Sequence, residues 1–252
     1  MRFVIWTPAW QINSAGVHVL HKLCKQLITA GYNACVTSPG NPEWNEPLFV
    51  GDLQADDYVI YPEIIRGNPM GAKRVIRYML WYPWHHFGND RIPKHELVIP
   101  YAKILLPHTQ ANCDYELTDD HILELSIIDP AVFYNDPSIP KTLTTFWVSK
   151  CDQATVARFP LPKGAIHLTH GIPRQEFINL LKQSKTYFSF DMNSAVTREA
   201  FLCGATCFLV TADNRLIEFR DISWEENKFL YEDINQIHRF VRLASSFNYE
   251  KK

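Results

Sequence analysis

Short apolar runs alternate with amphipathic stretches along this chain, and that alternation constrains its fold more than any other feature. Strand, helix and strand in succession pack as a parallel sheet with helices against its faces. Residues 2–7 read as a first strand, and Ser14 is placed to cap a helix whose apolar positions Val17, Leu20, Cys24, Leu27 and Ile28 recur at helical spacing until Gly31. Strands are expected at 34–38, 58–61, 97–99 and 103–106, with a helix at 68–80. After the proline-flanked stretch 137–140 the alternation restarts. Strands are predicted at 142–148, 166–168, 187–190 and 206–210, and Pro173 suits the first turn of a helix carrying Phe177, Leu180 and Leu181. A last amphipathic helix, 233–246, carries Ile234, Ile237, Phe240, Val241 and Leu243.

The expected fold class is therefore α/β, with two Rossmann-like parallel-sheet domains, residues 1–138 and 139–252, each long enough to bury its own core. With 46% hydrophobic and 21% charged residues the chain reads as globular, and a formal net charge of -2 gives no reason to expect nucleic acid as a partner. The apolar part of MRFVIWTPAW is too short for a secretory signal, and no run is long enough to cross a bilayer, so a cytoplasmic location is expected. The six cysteines show neither CxxC nor a repeated Cys/His spacing, which points to reduced, mostly buried thiols and no metal site.

Chemistry concentrates in 186–205, TYFSFDMNSAVTREAFLCGA. A buried strand runs into Asp191, then a polar turn in which Asn193 or Ser194 can cap a helix that ends at Gly204. The first turn of such a helix offers unpaired N–H groups to an anion. Glu199 stands out among Val196, Ala200, Phe201 and Leu202: it either faces a ligand or pairs with a cation such as Lys182 or Lys185.

The run Asp191, seven residues, Glu199-Ala200-Phe201-Leu202-Cys203-Gly204 resembles the donor-site signature of GT-B glycosyltransferases, with Asp where the better-known motif has Glu. Tyr61-Pro62-Glu63-Ile64, Gly67 to Lys73, Val75 and Arg77 resemble a segment common in the amino-terminal half of bacterial and viral surface-polysaccharide sugar transferases. The resemblance implies two lobes facing across a cleft, with a nucleotide diphosphate sugar in the second and a glycan or lipid-linked acceptor at the first. The last helix would pack back on the first lobe. It also implies that Glu199 meets the ribose hydroxyls and that the spacing leans toward retention of configuration. A peripheral-membrane or partner-protein contact is compatible with such acceptors.

Around that core, Asn193, Ser194 and Ala195 are candidate phosphate donors, and Lys150, at a strand end, could face the diphosphate, with Arg158 and Arg174 as lesser candidates. No Asp-x-Asp triplet is present, which favours a metal-independent reaction without a cofactor. The loop 8–16 ends at a helix start where Gly16 would let a donor sugar or phosphate approach closely and Trp10 is an acceptor-side candidate, but it lacks GxGxxG, so a nicotinamide enzyme is disfavoured. Trp84, His85 and His86 form an aromatic stretch suited to a sugar ring and a general base, with Asp191 a further catalytic candidate and Glu63 an acceptor-side acid. The competing readings are a non-catalytic nucleotide- or glycan-binding accessory subunit, and a nucleotide-sugar hydrolase or epimerase of the same fold.

Overall fold

The computed structural model describes residues 1–11, 14–83, 90–149, 151, 153–191, 194–220 and 234–250. The chain divides into two compact units, residues 1–127 with 229–252, and residues 128–228. The division falls at 127/128 rather than 138/139, and the last helix counts with the first unit.

In the first unit β1 (Phe3–Ile5), β2 (Ala34–Val36), β3 (Tyr58–Pro62), β4 (Arg74–Met79) and β5 (Glu96–Pro100) form a parallel sheet of order β2-β1-β3-β4-β5. Alternation sorts the side chains between its faces. Phe3, Ile5, Tyr58, Ile60, Ile76, Tyr78, Leu97 and Ile99 pack with Leu20, Leu23 and Leu27 of α1 (Ala15–Thr29) and Ile237, Phe240, Val241 and Ala244 of α6 (Ile234–Ser246). Against the opposite face, where Val4, Val59, Tyr61 and Val75 project, lie loop residues Phe49, Leu53, Ile65 and Met70. Loops do this part of the covering, and farther along the same face Leu106 packs against the cluster of Met79 and Val98.

The expected helix at 68–80 is replaced by a turn and the strand β4. Asn68 accepts from the Ala72 amide and donates to its carbonyl, and the Met70 amide donates to the Tyr61 hydroxyl. Arg77 then donates to the carbonyl oxygens of Ile65 and Gly67 and to Glu96 of β5. The residue types of the 61–77 segment are therefore accounted for by a loop tied to its own sheet. The expected strand at 103–106 is also corrected: Lys103–Leu105 is a 3₁₀ turn leading into α2 (Leu106–Gln110).

The second unit holds β6 (Leu143–Trp147), β7 (Ile166–Leu168), β8 (Ser184–Ser189), β9 (Thr206–Val210) and an edge strand β10 (Leu216–Glu218). Their order is β10-β9-β8-β6-β7, parallel except for β10. Taken in chain order within each unit, both sheets read 2-1-3-4-5. Phe188, Phe190 and Val210 form one core with Val156 and Phe159, which belong to or adjoin α3 (Gln153–Arg158). The other face meets α4 (Arg174–Gln183) and α5 (Ala195–Leu202). Pro173 precedes α4 instead of lying in its first turn.

Gly31 and Gly204 end their helices with φ of 84° and 87°. In each case the glycine amide and the next amide return to the helix, Gly31 to Ile28 and Tyr32 to Leu27, Gly204 to Phe201 and Ala205 to Ala200. This double closure requires the left-handed conformation that glycine adopts without steric cost. Among the described residues no helix is long and apolar enough to cross a membrane.

Candidate functional site

In an open sheet of order 2-1-3-4-5, the chain leaves the first strand in one direction and returns past it to reach the third. The loops after those two strands diverge and leave a crevice at the carboxyl edge. In the second unit the switch point lies between β6 and β8, so the carboxyl end of β8 and the start of α5 lie beside it.

The exit from β8 is held by its own polar side chains. The Ser189 hydroxyl donates to the Asp191 carbonyl oxygen at 2.8 Å and accepts from the Asp191 amide at 3.2 Å. Asp191 itself is buried. Ser194 caps α5 by accepting from the Val196 amide at 3.3 Å. Ala195 opens that helix.

Glu199 is 5% exposed, deep in the second unit. Its partner is neither Lys182 nor Lys185: Arg174, the first residue of α4, donates to Oε1 at 2.7 Å. The other oxygen, Oε2, is buried and has no hydrogen-bond partner among the described residues. Burial raises the Glu199 carboxyl above its ordinary value, while Arg174 opposes the rise through its charge and hydrogen bond. Nearby, the buried hydroxyls of Tyr187 and Thr197 make no hydrogen bond of regular geometry. Buried polar groups are nearly always paired, so the unpaired oxygen beside the switch point makes Glu199 the leading candidate residue of this site.

The raised Glu199 carboxyl has a consequence for stability. A proton binds the folded state more tightly than the unfolded one, so the group's contribution is complete below its unfolded value near about pH 4 and is lost as pH rises through the folded value. Glu199→Gln is therefore expected to melt at or above the wild type at pH 7, with the gap closing as pH falls toward about 4. Arg174, about one-third exposed, keeps access to water in that variant. Thermal melts of both proteins across this range test the sign, and a variant penalised at pH 7 but not at low pH would refute it.

Thiol chemistry has little room here. Cys24, Cys35, Cys113, Cys203 and Cys207 are free and buried, and burial pushes Cys203 to about 11 and Cys113 and Cys207 to about 12. Lys141 donates to the carbonyl oxygens of Lys182 and Cys203, closing the ends of α4 and α5. Arg158 reaches Thr155 and the Ala212 carbonyl.

In the first unit, Trp10, Gly16 and Glu63 come from segments following β1 and β3, at the corresponding switch point. Trp10 stacks on His18 at 4.1 Å and meets His21 and Trp44 edge-on. Glu63 is buried and accepts from the Leu80 amide at 2.9 Å, tying the exits of β3 and β4 together. A Cβ on Gly16 would meet Leu80 in ordinary contact, so packing does not demand a glycine there. Ser14 precedes α1 but makes no side-chain cap bond, contrary to its expected capping role. Trp84, His85, His86, Lys150 and Asn193 lie outside the described residues.

Two features of these regions escape a reading by local spacing. His21 has Nδ1 3.1 Å from both oxygens of the buried Glu46 carboxylate and Nε2 3.1 Å from the Pro8 carbonyl oxygen, which links the loops after β1 and β2. Arg174 engages Glu199 across 25 residues. The only sequence signal for the latter was an arginine opening a helix, the end least favourable to a cation. Searches with the chain match no family model and no curated protein.

Proposed function

We propose that the protein is a GT-B-like glycosyltransferase that moves a sugar from a nucleotide diphosphate sugar to a hydroxyl of a glycan or lipid-linked acceptor without a metal. The single observation that carries this reading is Glu199, a buried carboxylate with one oxygen held by Arg174 and one unpartnered, beside the switch point of a parallel sheet. A carboxylate is an acceptor only, so the oxygen suits a ligand that brings hydroxyl groups, as a ribose does. The start of α5, where Ser194 already takes the Val196 amide, turns the positive end of the helix dipole toward a phosphate. Asp191, close by, is the candidate to face the sugar. The first unit would take the acceptor, with Trp10, Glu63 and the stretch Trp84, His85 and His86 as its candidate residues. Lys150 and Asn193 complete the proposed donor set. Catalysis would then rest on positioning and on stabilising the leaving diphosphate.

A thermal-shift panel of nucleotides and nucleotide sugars in EDTA, run on the wild type and Glu199→Ala, tests the reading. One nucleoside diphosphate sugar is expected to raise the wild-type melting temperature, with affinity at least severalfold weaker in the variant. Equal shifts in both proteins would remove Glu199 from the site. A wild type that responds to no nucleotide would overturn the donor assignment.

A further inference from the structure

We propose that Arg174 is the positioning residue of the nucleotide site: by engaging Oε1 of Glu199 it keeps that side chain an anionic acceptor and aims Oε2 as a single fixed contact for a ligand hydroxyl. This rests on the nucleotide-sugar reading of the same site.

The geometry around Arg174 is that of a clamp. Its guanidinium lies 4.9 Å from the ring centre of Phe133 and 5.5 Å from that of Phe177, while one amino group donates to Glu199 at 2.7 Å. Three segments converge on it: the stretch leading into the second sheet, α4 and α5. A planar cation held by ring faces loses less freedom on pairing than a lysine would. Arg174 also opens α4, where the helix dipole disfavours positive charge. Its place is thus explained by what it touches and not by the helix that carries it.

The partner explains what the clamp achieves. Glu199 is buried enough that, left alone, it would favour the neutral acid, which has an O–H to donate. The adjacent guanidinium opposes this and occupies only one oxygen. Among the described residues, its charge also acts on Tyr187 of β8 and Cys203 at the end of α5, both held protonated by burial. Arg174 is therefore the cation identified as countering the burial of Glu199.

The experiment uses the intact chain with Arg174→Met, which keeps an apolar stem between the two rings, and Arg174→Lys, which keeps the charge. Affinity for uridine and guanosine diphosphate is measured from pH 6 to 8.5, and the Glu199 carboxyl is titrated by carbon-13 NMR, assigned with Glu199→Gln. In Arg174→Met the titration midpoint is expected to rise by about one unit or more, and diphosphate affinity at pH 6 to fall about tenfold. Part of that affinity should return at pH 8.5, and Arg174→Lys should lie between the two proteins. An unmoved midpoint in a folded Arg174→Met protein overturns the proposal, as does an affinity loss independent of pH. A wild type that binds neither diphosphate while the midpoint still rises in Arg174→Met would overturn the nucleotide reading and leave the Arg174–Glu199 coupling supported.

Discussion

Replacing Arg77 by alanine is expected to cost about 3–5 kcal/mol of folding stability, the range for breaking a buried ion pair from one side. Arg77 and Glu96 are 1% and 3% exposed, and two nitrogens of the guanidinium lie 2.9 and 2.7 Å from the same carboxylate oxygen. The guanidinium also lies over the Tyr61 ring at 5.2 Å and donates to the Ile65 and Gly67 carbonyl oxygens. Alanine removes all of these and strands Glu96 as an uncompensated buried charge. The double variant Arg77→Met/Glu96→Leu should recover most of the loss, because desolvating two charges offsets much of what their attraction returns. Urea denaturation of the three proteins decides it. A single-variant cost under about 1 kcal/mol would mean that Glu96 finds water or a proton at little expense.

Phe240→Ala is expected to cost a similar amount, about 3–5 kcal/mol, through lost burial and the cavity left behind. Phe240 is 3% exposed, and its ring centre lies 5.8 Å from that of Phe3 in the first strand. Ile237, Val241 and Ala244 share the face, and Gln236 and Arg239 bind the backbone of residues 124 and 122. The last helix is thus part of the first unit's core although the whole second unit intervenes in the chain. Deleting residues 229–252 should leave α1 as the remaining helix on that core and abolish cooperative unfolding of the first unit. Denaturation curves that superimpose for Phe240→Ala and the wild type would contradict this packing role.

Local spacing in the sequence determined much of the secondary structure. The periodicity of Val17 to Leu27 and of Ile237 to Val241, the glycine stops at 31 and 204 and the strand and Ser194-capped helix on either side of Asp191 depend on residues within a few positions of one another, and the structure follows them. Residues 74–79 misled the same reasoning. Val75, Ile76, Tyr78 and Met79 form a short apolar run that fits a helix as well as a strand buried on both faces. What decides between them is Glu96, placed beside Arg77 only when β5 pairs with β4.

The candidate site divides in the same way. The sequence placed Asp191, Ser194, Ala195 and Glu199 on one strand–turn–helix, because they are neighbours along the chain. The tertiary structure alone chose the partner of Glu199, excluding Lys182 and Lys185 in favour of Arg174. It also put Phe133 and Phe177 around that arginine. Helical spacing reports only what lies three or four residues away. A charge partner 25 positions distant depends on which strands pair and which helices then pack side by side.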